Sequence, residues 1–261
     1  MPSESGDVTP TEQRWPSTLW LVRHGESAGN VARDVAEAER QAVIDIAIRD
    51  MDVGLSQRGE GQAEALGVRL RSLFADGRPV AIVSSPYVRA QQTAEIALRS
   101  ACAQHEIRLD ERLREREFGI LDRLTGRGIR ERYPEQAQAR AFLGKFYQRP
   151  PGGESWCDVA LRLRTVLDTL ARDHRGEHVL VVTHEVVVLM FRYLLERLTE
   201  AEILAINRER DVANCSLTTF EFDPGRGRHG ELRLCGYNDI SHLQELGAPI
   251  TSTPDVPRGP H

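Results

Sequence analysis

Lysine is almost absent from the chain. Of its 34 basic residues, one, Lys145, is a lysine. Arginine therefore fills nearly every cationic position, and each arginine must be argued from its surroundings. The four cysteines, Cys102, Cys157, Cys215 and Cys235, lie far apart with no CxxC pair. They offer no close thiolate cluster for zinc and read as four reduced thiols. No stretch approaches the roughly 18 apolar residues of a membrane span. The longest, 179–182 and 186–191, are sized for a protein core. A basic excess is missing too, and the formal net charge of −5 argues against nucleic acid as a partner. The first residues, Met1-Pro-Ser-Glu-Ser-Gly-Asp, lack a basic segment followed by an apolar one, so a reducing cytoplasm is the expected location. No GxxxxGK[ST] occurs, which leaves out a P-loop kinase unit.

What is present suits a globular protein. Hydrophobic residues make up 40% of the 261 and charged residues 28%. Residues 1–17 are polar with Pro2, Pro10 and Pro16, and 247–261 carry Pro249, Pro254, Pro257 and Pro260. Both read as flexible tails around one domain at 18–246. Inside it, short β-type runs (18–22, 80–83, 179–182) alternate with helical patterns. Ser56 can cap a helix to about Phe74, Pro86 suits the first turn of one to about Arg99, and further helices are expected at 154–171 and 185–195. A hairpin follows at 216–222 and 231–234. This alternation predicts an α/β three-layer sandwich, with a mainly parallel central sheet flanked by helices on both faces.

Three strand ends carry chemistry: Leu21-Val-Arg-His-Gly-Glu-Ser27, Ser84-Ser-Pro-Tyr-Val-Arg89 and Val181-Val-Thr-His184. Ligands of open α/β sheets bind outside the carboxyl ends of the strands. Two guanidiniums, Arg23 and Arg89, offer planar donor forks that match phosphate oxygens. One imidazole can attack phosphorus when neutral while another donates to an oxygen, and Gly25 lets backbone N–H groups approach the anion. The arginines neutralise the charge that a metal would otherwise meet, so no metal and no cofactor is expected. A lone histidine is more often structural than catalytic; here the bland reading must account for all four residues at once.

Arg23-His24-Gly25-Glu26-Ser27 resembles the signature of the histidine phosphatase superfamily, the phosphoglycerate mutase-like proteins. Further ordered matches are Leu55-Ser-Gln-Arg-Gly59-Glu-Gly-Gln62-Ala63, Ser84-Ser-Pro-Tyr-Val-Arg89-Ala-Gln-Gln-Thr93-Ala, Leu113-Arg-Glu115-Arg-Glu-Phe-Gly119, Gly153-Glu-Ser155 and Val182-Thr-His184. The resemblance covers about residues 18–222. It implies His24 as the phosphorylated nucleophile. Arg23, Arg89 and His184 would line the phosphate pocket, with Ser27 and Asn30 contributing to it. Glu115 would act as general acid and base, with Glu117 solvated. The implied partner is a small phosphorylated metabolite; self-association stays open.

Three departures mark the chain out. Glu185 follows the second histidine, and its carboxylate is expected to point away from a bound dianion. Residues 31–51 insert between the first two motifs; Val35, Ala38, Ala42 and Ile46 suggest a helix there, either surface decoration or a lid. The region after Glu115, with 119–152 as a cap, lacks the long proline-rich insertion of the mutases and their paired carboxylate-binding arginines. A phosphomonoester hydrolase is therefore expected, with a mutase or sugar bisphosphatase as the alternative and a non-catalytic phosphate-binding module as the other class. Lys145, Tyr147 and Arg149 lie in a segment resembling the substrate loop of fructose-2,6-bisphosphatase; a second phosphate and simple packing both account for it.

Overall fold

The computed structural model describes residues 13–253. Strands β1 (Thr18–Arg23), β2 (Val80–Ser84), β3 (Ile107–Leu109), β4 (His178–Thr183), β5 (Leu217–Asp223) and β6 (Glu231–Asp239) form one sheet in the order β3-β2-β4-β1-β5-β6. Its first four strands run parallel, and β5 and β6 add an antiparallel hairpin. The expected α/β sandwich is observed.

Period-two alternation builds its two cores. Leu19 and Leu21 of β1, with Val179 and Val181 of β4, face a core completed by α6 (Trp156–Asp173) and α7 (Glu185–Leu195). Trp20, Val22, Leu180 and Val182 face the other, with α2 (Gln57–Leu73) and α3 (Val88–Ser100). Both faces of β1 and β4 are covered, which is why these strands read as unbroken apolar runs. Ser56 caps α2 by accepting from Gly59 N–H, as expected.

Other elements differ from the sequence reading. Pro86 precedes α3, whose N-cap is Tyr87. β3 has three residues at the sheet edge with Arg108 in the middle, too short and too polar to stand out. Four helices escape the reading: α4 (Gly126–Arg132), α5 (Pro134–Tyr147), α8 (Glu200–Glu209) and α9 (Ser241–Glu245). In the 31–51 insertion, helix α1 (Ala28–Ala38) stops before Ala42 and Ile46. Arg40 takes a left-handed conformation, φ 54°. The segment beyond it is pinned as irregular chain, with Ile44 N–H on Arg123 O (2.9 Å) and Thr125 Oγ1 on Gln41 O (2.7 Å). Those long-range bonds override the helical spacing.

Residues 249–253, read from sequence as part of a tail, are tied down. Pro249 O accepts from Gln62 Nε2 (2.8 Å), Thr251 O from Asn214 N–H (2.9 Å), and Thr253 Oγ1 donates to Asp34 Oδ2 (2.7 Å). Residues 254–261 and 1–12 lie outside the described residues.

Candidate active site

His24, Ser85 and His184 follow the carboxyl ends of the neighbouring strands β1, β2 and β4. The loop after β1 is held by backbone bonds that the motifs encode. Gly25 N–H donates to Thr93 Oγ1 (3.0 Å), and Glu26 N–H donates to Gln62 Oε1 (2.8 Å). Gly59 at the start of α2 packs so closely that an added Cβ would sit 2.0 Å from Glu26 O. Asn214 Nδ2 donates to His24 O (3.0 Å) and Cys215 N–H to Arg23 O (2.9 Å). Neither of these last two was legible from sequence, because they act through backbone carbonyls some 190 positions away in the chain.

The result fixes the tautomer of His24. Its Nδ1 lies 2.7 Å from Gly25 O, which can only accept, so Nδ1 carries the proton. Arg89 Nε–H donates to His24 Nε2 at 3.2 Å, which places a lone pair on Nε2. A neutral imidazole with Nε2 free of hydrogen is the form a nucleophile needs. The second imidazole, His184, stands edge-on to it with ring centroids 5.1 Å apart, and its Nε2 meets Ser85 Oγ at 2.8 Å. His24, Arg23, Arg89 and His184 are all buried.

Protein oxygens occupy the donor forks of both guanidiniums. Arg23 Nη1 donates to Val212 O (2.5 Å) and Nη2 to Thr253 O. Arg89 Nη1 and Nη2 grip the Asp50 carboxylate at 3.1 Å each, and Nη1 also reaches Asp50 O at 2.7 Å. Asp50 itself is half exposed and belongs to the 31–51 insertion. Ser27 and Asn30 form a capping box on α1, and Asn30 Nδ2 also donates to Thr253 O (3.3 Å).

Glu115 lies in the chain that follows β3 and packs against the first turn of α7. Its Oε1 accepts from Arg116 N–H (2.8 Å) and its Oε2 from Val186 N–H (3.4 Å), in the first turn of α7. The Gly-Glu-Ser motif supports this loop: Glu154 binds Arg114 (2.7 Å) and Arg162 (3.0 Å) and accepts from Glu117 N–H (3.1 Å). Glu117 is half exposed, and Tyr87 Oη donates to it at 2.8 Å, so it is held rather than simply solvated. Burial, and then the Glu117 charge, push the Tyr87 phenol well above its usual range.

Lys145, Tyr147 and Arg149 do not converge. Gly144, at φ 80°, kinks α5. Lys145 then turns inward to Asn207 Oδ1 and the Trp156 ring, Tyr147 is exposed, and Arg149 pairs with Asp158 (3.1 Å). Packing, not a second phosphate cradle, accounts for that segment. Phe146 supplies the packing, while Phe142 points to solvent. Glu185 is buried, and its charge acts on Lys145 and Tyr237, on α5 and β6.

Known proteins match this arrangement. A family model described as "Histidine phosphatase superfamily (branch 1)" matches residues 19–233. The chain is 29% identical to a metal-independent phosphoserine phosphatase of Arabidopsis thaliana over 227 residues, 87% of this chain and 83% of the relative. It is 30% identical to a 2,3-bisphosphoglycerate-dependent phosphoglycerate mutase of Methylobacterium radiotolerans, over 80% of this chain and 98% of that one. Among solved structures, Bacillus stearothermophilus YhfR superposes with a TM-score of 0.68 at 30% identity, covering 87% of this chain and 98% of that chain.

Proposed function

The chain belongs to the histidine phosphatase superfamily, and from that premise we infer that it is a metal-independent phosphomonoester hydrolase working through a phosphohistidine on His24. The observation that carries this reading is the lone pair on His24 Nε2, set by Gly25 O on one side and Arg89 Nε on the other. The short segment between Glu115 and Gly153, without the long proline-rich insertion of the mutases, supports the hydrolase over the mutase.

The steps follow from the side chains. His24 Nε2 attacks phosphorus in line, and an N–P bond forms as the P–O bond to the leaving group breaks. The leaving alkoxide takes a proton from the Glu115 carboxyl. Water then attacks the phosphohistidine, giving its proton to the Glu115 carboxylate and releasing inorganic phosphate and neutral His24. Arg23, Arg89 and His184 bind the equatorial oxygens, which concentrate charge in the transition state. Those oxygens take the places that Asp50 and Thr253 oxygens now hold on the two arginines, so the 31–51 insertion acts as a lid that lifts to admit substrate. Because the arginines supply the counter-charge, a chelator is expected to leave turnover unchanged; loss of rate in EDTA, restored by a divalent metal, contradicts the scheme.

The test is a rapid acid-free quench with a radiolabelled phosphomonoester. A base-stable, acid-labile label on the protein, absent from His24→Ala, is expected. A labelled His24→Ala protein moves the nucleophile elsewhere. An unlabelled wild type that binds phosphate points to a non-catalytic module, and transfer of the label to 3-phosphoglycerate in preference to water makes the chain a mutase.

A further inference from the structure

Behind Glu115 lies a second concentration of positive charge that the proposed chemistry leaves unused. Arg116 is buried. Its Nε donates to Glu154 O (2.5 Å) and its Nη2 to Gln148 O (3.2 Å), and the guanidinium sits 5.1 Å over the Phe118 ring. Its Nη1 is also buried and has no hydrogen-bond partner among the described residues. An unmade hydrogen bond on a buried charged donor costs more than an ordinary one gains. Across from it stands Arg140 of α5, to which no hydrogen bond or ion pair runs from the described residues. Burial alone lowers the Arg140 pKa, with no carboxylate resisting.

Both arginines line one cavity, with Arg130 at its exposed rim and Phe118, Leu121 and Ile129 in its walls. Its accessible volume is about 20 Å³, above the roughly 10–15 Å³ that one water needs. No aspartate or glutamate lines it. The two glutamines that do are turned to each other, Gln148 Nε2 on Gln136 Oε1 at 3.4 Å. The lining is thus rich in donors and poor in acceptors. A cation is repelled, a water finds few acceptors for its hydrogens, and phosphate is too large. A halide needs only donors, is compact, and tolerates apolar walls because it is weakly hydrated. The surrounding charge points the same way. Burial lowers Arg116 to about 10, and the Arg140 charge is its next cause; Glu115, Glu154 and Asp158 offset it in part. Lys145 falls to about 8 through burial, with Arg140 and Arg116 lowering it further against Glu185 and Asp211.

We propose that the cavity between Arg116 and Arg140 binds one compact monovalent anion of the halide class. The anion completes the Arg116 Nη1 hydrogen bond, neutralises Arg140, and so locks α5 against the Glu115 loop.

The experiment compares thermal unfolding of the full chain in sodium chloride and in sodium gluconate at equal ionic strength. Chloride is expected to raise Tm with saturation of the site, by roughly 3–5 °C per further tenfold in concentration. Crystals soaked in bromide should show an anomalous peak in contact with Arg116 Nη1. Arg140→Met should fold and lose both responses. Equal melting of the wild type in the two salts, or a bromide-soaked cavity holding water only, overturns the proposal. Chloride that competes with a phosphomonoester in turnover overturns the free-anion assignment and gives the cavity to an acidic group of the substrate. Melting and diffraction do not depend on turnover, so failure here leaves the phosphatase reading intact.

Discussion

Arg89 makes contacts of two kinds: through Nε to the His24 Nε2 proposed as the nucleophile, and through its Nη atoms to Asp50. In the proposed mechanism the first aims His24, and the others mark where phosphoryl oxygens bind. Arg89→Ala is expected to lower kcat/KM by about 10²–10³, a loss of about 3–4 kcal/mol by analogy with one missing oxyanion donor. The truncation also carries a stability cost of its own, because Arg89 is buried and meets the buried His24 as well as Asp50. Steady-state kinetics beside a denaturant melt separate the two, and near-wild-type kcat/KM removes Arg89 from the phosphate pocket. At Glu115 the contrast with Glu117 is geometric. Glu115 is buried against the first turn of α7, whereas Glu117 is half exposed and receives Tyr87 Oη. Glu115→Gln should therefore slow turnover most for poor leaving groups such as alkyl phosphates and least for nitrophenyl phosphate, while Glu117→Gln should not discriminate. Equal losses on both substrates for Glu115→Gln would remove it as the proton donor.

Among the elements, the 31–51 insertion is where the sequence was least readable. Its spacing favoured a helix through Ala42 and Ile46, but the bonds that shape it come from Arg123 and Thr125, some eighty positions on. No local pattern carries that information. The same limit hid Asp50, whose role follows only from its place on Arg89. By contrast, the start of α2 was legible down to Gln62. Ser56 caps the helix, Gly59 admits the nucleophile loop, and Gln62 bonds it, all within one turn and a half. Local chemistry at fixed spacing leaves a motif; backbone carbonyls recruited across the chain, such as those bound by Asn214 and Gln62, leave none. The lid reading has its own consequence. Asp50→Asn keeps the size of the side chain but removes its charge, so the latch on Arg89 weakens while the cradle is intact. Inhibition by inorganic phosphate should tighten several-fold and KM should fall. Weaker phosphate inhibition in this variant would instead make Asp50 a residue that positions Arg89, and the lid argument would fail.

At the scale of the whole molecule, the last described residues close a circuit around the site. Residues 249–253 join α2, the Asn214 turn and α1, and α9 sits just before them. Within α9, His242 is buried and its Nε2 meets Cys215 O at 3.0 Å. That carbonyl accepts, so the proton sits on Nε2, and Nδ1 is buried with no hydrogen-bond partner among the described residues. Protonating Nδ1 would bury an unpaired charge. Burial accordingly lowers the His242 pKa, although the Cys215 carbonyl resists. The sign follows from proton counting. Below the ordinary histidine value of about 6.5 the unfolded chain binds a proton that the native one refuses, so stability falls as pH drops, by at most about 1.4 kcal/mol per unit from this group. The loss begins near that value and runs down to the lowered native pKa. It also reaches the site, since Cys215 N–H holds Arg23 O at 2.9 Å. Denaturant melts at pH 7.5 and 5.5 should show a larger loss for the wild type than for His242→Gln, whose amide can still donate to Cys215 O but takes up no proton. Parallel losses in the two proteins would show that the acid sensitivity arises elsewhere, and that α9 does not couple the pH of the solvent to the strand end bearing Arg23.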